Sequence, residues 1–176
     1  DNPFDAYAEN PFAMPLGRKV AEEDICEADV VIYVISRISG EGKDRRKVKG
    51  DYYLSEREEE DLRYLAEMNK PVILILNAGG PVELTDILEQ TDNIKGILNI
   101  SQLGQEGGDA LADVLLGKEV PGGKLTTTWA RRYEDYPASE EYGYPNGNLE
   151  KEKYKEGIYV GYRYFDSFDK KVMFPF

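Results

Sequence analysis

Residues Asp29–Arg46 read DVVIYVISRISGEGKDRR: an apolar run rich in Val and Ile that ends in a glycine- and charge-rich loop. A short continuous apolar run bounded by turn residues is the signature of a strand buried on both faces. The same grammar returns at Pro71–Leu76 (PVILIL), followed by NAGGP, and at Ile94–Ser101 (IKGILNIS), followed by LGQEGG. Helical segments separate them. Ser55 opens one with SERE, where a Ser N-cap and Glu58 three residues on make a capping box, and Leu62, Leu65 and Ala66 supply its buried stripe. A second helix fits Val82–Gln90, and a third, DALADVLL, closes at Gly117 as its C′ residue. Strand, helix, strand, helix, strand, helix predicts a mainly parallel sheet sandwiched between helices, an α/β fold.

Outside this block the pattern weakens. Residues 1–18 hold three prolines and three aromatics without a period and are expected as an extended lead-in lying on another surface. Residues 19–28 (KVAEEDICEA) fit a short helix on which Cys26 serves as a small buried hydrophobe. After PGGK, Leu125–Trp129 is a strand candidate and 130–153 a polar, tyrosine-bearing loop. In YKEGIYVGYRYF, Ile158, Val160, Tyr162 and Tyr164 alternate with Tyr159, Arg163 and Phe165, the pattern of an edge strand. The organisation expected is a lead-in over 1–18 and one α/β domain over 19–176, incomplete at both ends.

Composition narrows the chemistry. With 22 basic and 34 acidic residues the formal net charge is −12. A field of that sign repels phosphate backbones and anionic lipid, which argues against nucleic-acid and membrane-surface partners. No apolar run reaches the length of a membrane span. The absence of histidine removes Ser-His-Asp and Cys-His catalysis and histidine-bearing zinc sites. A single cysteine makes no internal disulfide and fits a reducing compartment, so a bacterial-type cytoplasmic location is expected. Catalysis here falls to a carboxylate.

In open parallel sheets ligands bind at the carboxyl ends of the strands. Three loops gather there: SRISGEGKDRR, NAGGP and SQLGQEGG. Glu41, between Gly40 and Gly42, stands in the longest. From the residues alone it is either a site carboxylate or a solvated loop acid paired with Lys43, Arg45 or Arg46. NAGGP lacks the Walker lysine and the GxGxxG spacing, so a tight turn is the better account than a phosphate cradle. In GQEGG, Glu106 complements the helix dipole as a cap.

Taken in order, SRISGEGKDR, GDYYLSEREEEDL, PVILILNAGGPVEL, IKGILNISQLGQEGGDALADVLLGKEVPGGKL and YKEGIYVGYRYFDSF…FPF resemble the family 3 glycoside hydrolases, β-glucosidases and their relatives. The likeness is to their C-terminal α/β sandwich domain and runs from about residue 26 onward. It implies a retaining mechanism in which a separate (β/α)8 barrel carries an aspartate nucleophile and the sandwich lends the acid/base glutamate. Glu41 matches that position, with Ser39, Gly40, Gly42, Asp44 and Arg45 as loop support. The resemblance implies no cofactor and no metal. The partners it implies are a β-linked glucoside or oligosaccharide and the barrel of the parent chain, with room left for a homo-oligomer. The expected function is thus a fragment of a β-glucosidase acting on terminal non-reducing β-D-glucosyl residues, inactive by itself. The alternative is a non-catalytic α/β ligand-binding or scaffold domain.

Two expectations follow for the loop. Lys43 and Arg45 must point away from Glu41 or screen other acids such as Asp44, because a nearby cation would hold the acid ionised. Without its barrel, the 36–50 loop is expected to be poorly held. The sequence also departs from the family pattern: after the GQEGG helix the usual G-[RK]-L-P run is Gly123-Lys124-Leu125-Thr126, which predicts an earlier strand start. Relatives also continue beyond the closing FPF. The SGEG loop argues against the branch of the family that takes its acid/base from a barrel histidine.

Overall fold

The Val/Ile-rich runs form strands β1 (Val31–Ser36), β2 (Val72–Asn77) and β3 (Ile94–Asn99) in the computed structural model, which describes residues 18–38, 45–140, 150 and 153–176. The strands are parallel in the order β1-β2-β3. Val31 pairs with Val72 and Ser36 with Asn77, while Ile73 pairs with Gly96 after an irregularity between Val72 and Ile73. A short helix α1 (Glu22–Ile25) precedes β1, α2 (Glu56–Glu67) joins β1 to β2, and α3 (Thr85–Gln90) joins β2 to β3. Right-handed crossovers stepping in one direction put their helices on one face of the sheet. Here α2 and α3 touch each other. The core lies beneath them: Ile35, Leu74 and Leu76 at period-2 positions, with Leu62, Leu65, Val82, Leu84 and Ile87.

Local chemistry sets the helix ends. The Ser55 hydroxyl accepts from the Glu58 N–H at 3.2 Å and the Glu58 carboxylate accepts from the Ser55 N–H at 2.7 Å, the expected capping box. Helix α4 (Gly107–Leu115) ends as expected at Gly117, whose φ is +71°. The Gly117 N–H donates to Val114 O at 3.0 Å and the Lys118 N–H to Asp113 O at 2.8 Å, the paired bonds of a Schellman ending.

Several expectations need correction. Only β2 is buried on both faces; β1 leaves Ile32 51 % and Val34 48 % exposed, because the described helices cover one face of this outer strand. The 19–28 helix shrinks to four residues, since the Cys26 and Ala28 carbonyls turn to Lys70 Nζ at 3.3 and 2.9 Å. Cys26 is exposed, not a buried hydrophobe. The segment Val82–Leu84 stays outside α3 because the Glu83 N–H donates to Tyr52 O at 2.9 Å.

Residues from Gly122 onward form a second compact unit. Strand β4 (Trp129–Ala130) pairs antiparallel with β5 (Val172–Phe174), and the Trp129 and Phe174 rings meet edge to face at 5.8 Å. β4 begins at Trp129, later than the missing proline implied. The expected edge strand over 154–165 is instead capped by helix α5 (Tyr162–Ser167). Gly161, at φ +60°, turns the chain there, and the aromatics suit helical spacing: Phe165 is buried against Tyr136, with ring centroids 6.0 Å apart.

Candidate active site

The three loops predicted to gather lie after β1, β2 and β3. Glu41 and its neighbours Ser39, Gly40, Gly42 and Asp44, with Lys43, fall outside the described residues. What is described are the residues on either side of that segment, where two arginines are bound.

Arg37 is the first residue beyond β1. A guanidinium entering the core needs a partner for its charge and acceptors for five N–H groups. All five are used. Nη1 and Nη2 fork onto the Glu58 carboxylate at 2.7 and 2.8 Å. Nε donates to Asp51 O at 2.8 Å, Nη1 to Ser36 O at 2.8 Å and Nη2 to Tyr53 O at 3.2 Å. Arg37 and Glu58 are 4 % and 1 % exposed, so this is a fully desolvated, bidentate pair. The capping residue of α2 thereby also holds the end of β1.

Arg45 stands at the other end of the segment. Its Nε donates to Asp51 Oδ1 at 2.8 Å, its Nη2 to Asp51 O, and its Nη1 to Pro81 O at 2.6 Å. The Arg46 N–H takes the second oxygen, Asp51 Oδ2, at 2.6 Å. Asp51 is 0 % exposed. Gly50, with φ +79°, turns the backbone so that the Asp51 carbonyl and carboxylate both face the arginines, and its N–H donates to Tyr53 O at 3.0 Å. Through Arg45 the first loop reaches the NAGGP turn after β2. The ends of β1 and β2 are also linked by Asn77 Nδ2, which donates to Ser36 Oγ at 3.4 Å. In the third loop, the Ser101 N–H donates to its own neighbour Asn99 Oδ1 at 3.4 Å and the Gly107 N–H to Gly104 O at 3.0 Å.

The two described flanks of the 36–50 loop are held by internal hydrogen bonds, while its centre, 39–44, to which the expectation of a poorly held loop chiefly applies, lies outside the described residues. Of the residues named as loop support, Arg45 is the one described, and its guanidinium is bound to Asp51 and the Pro81 carbonyl. Arg37 and Asp51 were not singled out in the sequence, and Glu58 only as the capping partner of Ser55. Arg37 carried a usable signal: an arginine directly after a buried strand must bring a carboxylate with it. Beneath this network the Tyr33 hydroxyl donates to Asp61 Oδ2 at 3.1 Å. Burial, and then the Asp61 and Glu58 charges, push the Tyr33 phenol well above its ordinary range.

This fold and loop arrangement can be set beside known proteins. The family profile "Glycosyl hydrolase family 3 C-terminal domain" matches residues 9–162.

The chain belongs to glycosyl hydrolase family 3.

Among its family 3 relatives, beta-glucosidase A of Butyrivibrio fibrisolvens is 38 % identical over 174 residues, covering 85 % of this chain and 20 % of that protein. A beta-glucosidase of Ruminococcus albus is 34 % identical, with 93 % of this chain and 17 % of that protein covered. Beta-glucosidase 3B of Thermotoga neapolitana, solved in complex with glucose, superposes with a TM-score of 0.79 at 45 % identity, covering 89 % of this chain and 23 % of that one. A beta-glucosidase of Paenibacillus barengoltzii superposes with a TM-score of 0.83 at 32 % identity, over 98 % of this chain and 20 % of that one. The chain thus spans about a fifth of the length of these relatives.

Proposed function

We propose that this domain serves a retaining β-glucosidase, in which it lends Glu41 as acid/base to a site completed by a (β/α)8 barrel of the parent protein. The observation that carries this reading is the anchoring of the Glu41-bearing segment: both its flanks, Arg37 and Arg45, are tied to the buried Asp51 at the carboxyl end of the sheet. A surface loop of solvated acids needs no such base. The relatives' names supply the substrate class.

The chemistry asks for two carboxyl groups about 5–5.5 Å apart. The aspartate of the barrel bonds to the anomeric carbon as the glycosidic C–O bond breaks, and the Glu41 carboxyl gives its proton to the departing oxygen. In the second step a water gives a proton to the Glu41 carboxylate while its oxygen bonds to the anomeric carbon, releasing the sugar and the aspartate. The first step needs Glu41 protonated near neutral pH, which burial beside the sugar and the ionised nucleophile favours. Arg45 does not oppose it, because its charge is spent on Asp51.

Glu41→Ala in the full-length protein tests this. Hydrolysis of glucosides with poor leaving groups should fall strongly, and azide should restore turnover of activated substrates as a glycosyl azide. Unchanged activity removes Glu41 from the site. The chain alone should not hydrolyse aryl β-glucosides. A second substrate reading comes from one relative, an exo-alpha-(1->6)-L-arabinopyranosidase of Bifidobacterium longum, 32 % identical over 93 % of this chain. Comparing aryl β-D-glucoside with aryl α-L-arabinopyranoside separates the two.

A further inference from the structure

The chain leaves the sheet at Arg37 and returns at Arg45. Eight residue steps of extended chain would let those points separate by roughly 25 Å. Instead both guanidiniums converge on one residue. The Asp51 carbonyl accepts from Arg37 Nε at 2.8 Å and also from Arg45 Nη2, and its carboxylate accepts from Arg45 Nε at 2.8 Å and from the Arg46 N–H at 2.6 Å. Fully buried and with both carboxylate oxygens occupied, Asp51 has no acceptor to offer a substrate. Its reach into chemistry runs through the two ends of the segment that it fastens.

We infer that Asp51 is the positioning residue for the acid/base step: it holds together the two points, Arg37 and Arg45, between which the Glu41-bearing stretch of sequence runs. This rests on the proposed role of Glu41. Proton transfer in a transition state demands placement within hydrogen-bond reach, and a misplacement of about 1 Å costs on the order of 100-fold in rate. Asp51→Asn keeps the shape and the main-chain carbonyl. It replaces one charged acceptor with an amide N–H facing either Arg45 Nε or the Arg46 N–H, so the clasp opens on one side.

The leaving group provides the readout. A poor leaving group, such as an alkoxide, needs the proton; a dinitrophenolate leaves without it. In the full-length protein, Asp51→Asn should lower kcat/KM for an alkyl β-glucoside by roughly 10- to 100-fold, while kcat/KM for the dinitrophenyl β-glucoside changes by less than about threefold, within the scatter of a group that assists only the acid step. Equal loss on both substrates means that Asp51 only supports the fold, and no loss on either means that it does not position the acid; each overturns the inference. If Asp51→Asn does not fold, Arg45→Lys decides, since it keeps the charge but loses the fork onto Asp51, and the same selective pattern is expected. Glu41→Ala run beside them separates the two levels. If it spares both substrates, the acid/base reading has failed; if it shows the selective loss that Asp51→Asn and Arg45→Lys lack, only the inference about Asp51 has failed.

Discussion

Glu58→Gln is the sharpest test of how this domain is held together. Both carboxylate oxygens are in use: Oε1 accepts from Arg37 Nη1 at 2.7 Å, and Oε2 from Arg37 Nη2 at 2.8 Å and the Ser55 N–H at 2.7 Å. A glutamine keeps one oxygen. Its better orientation places that oxygen at the Oε2 position, preserving two bonds and setting its amide N–H against Arg37 Nη1. What it cannot supply is the negative charge, and breaking a buried pair on one side costs about 3–5 kcal/mol. Arg37 still has the carbonyls of Ser36, Asp51 and Tyr53, which points to the lower end, about 3 kcal/mol. At about 3 °C per kcal/mol for a protein of this size, the melting temperature should fall by roughly 10 °C. Circular dichroism melting of wild type, Glu58→Gln and a control, Glu60→Gln, measures it. Glu60 meets Lys19 at 3.4 Å with both side chains 54 % exposed, and such a pair contributes little. If Glu58→Gln melts within a degree or two of the control, the argument that desolvation makes this pair indispensable is wrong.

Other outcomes follow from single groups. The Tyr33 phenol is raised by burial and then by the Asp61 and Glu58 charges, so its contribution to stability is whole below the ordinary phenol value of 10.0 and is lost as pH climbs above it. An ultraviolet titration should show Tyr33 ionising after the exposed tyrosines, and Asp61→Asn should bring it earlier; an unmoved curve contradicts the assigned cause. The Asp24 carboxyl is held below its ordinary 3.8 by its hydrogen bonds, first from Arg18 and then from the Ala21 N–H, so its contribution is present above that value and disappears as pH falls through the lowered midpoint. An NMR titration should place the Asp24 midpoint low, and Arg18→Ala should raise it. Two glycines should respond oppositely to alanine. Gly117→Ala forces a side chain into φ +71° and should cost about 1–2 kcal/mol. Gly96→Ala brings a Cβ to 3.4 Å from Ile73 Cδ1, ordinary contact in a strand, and should be stabilising by about 0.4–1 kcal/mol. Urea midpoints report both.

The parallel α/β core was legible because its signals are local. Runs of Val and Ile, the Ser55–Glu58 box and the Gly117 stop each declare themselves within a few residues, and each appears where the sequence placed it. The errors arise where surroundings decide. VVIYVI is apolar at every position, so nothing in it distinguishes the face of β1 beneath α2 from the face that stays half exposed. The aromatics of 158–165 satisfy both a period of two and an i, i+3 spacing, and the turn at Gly161 selects the helix. The candidate site was legible only as a place. Glu41 was proposed from its position after a strand and from the ordered motifs around it. Asp51 was not, because one aspartate in a charged stretch looks like any other until the arginines 14 and 6 residues before it fold back onto it.

Of the acceptors around Arg37, three are main-chain carbonyls: Ser36, Asp51 and Tyr53. A side-chain substitution at those positions cannot delete a carbonyl; only a change in the path of the backbone can. The span from Arg37 to Tyr53 should therefore drift freely in composition at many positions while resisting insertion or deletion between Arg45 and Tyr53, where one residue more or less would swing those oxygens away from the guanidinium. Among homologues, the mark of this clasp would be a conserved length as much as a conserved letter.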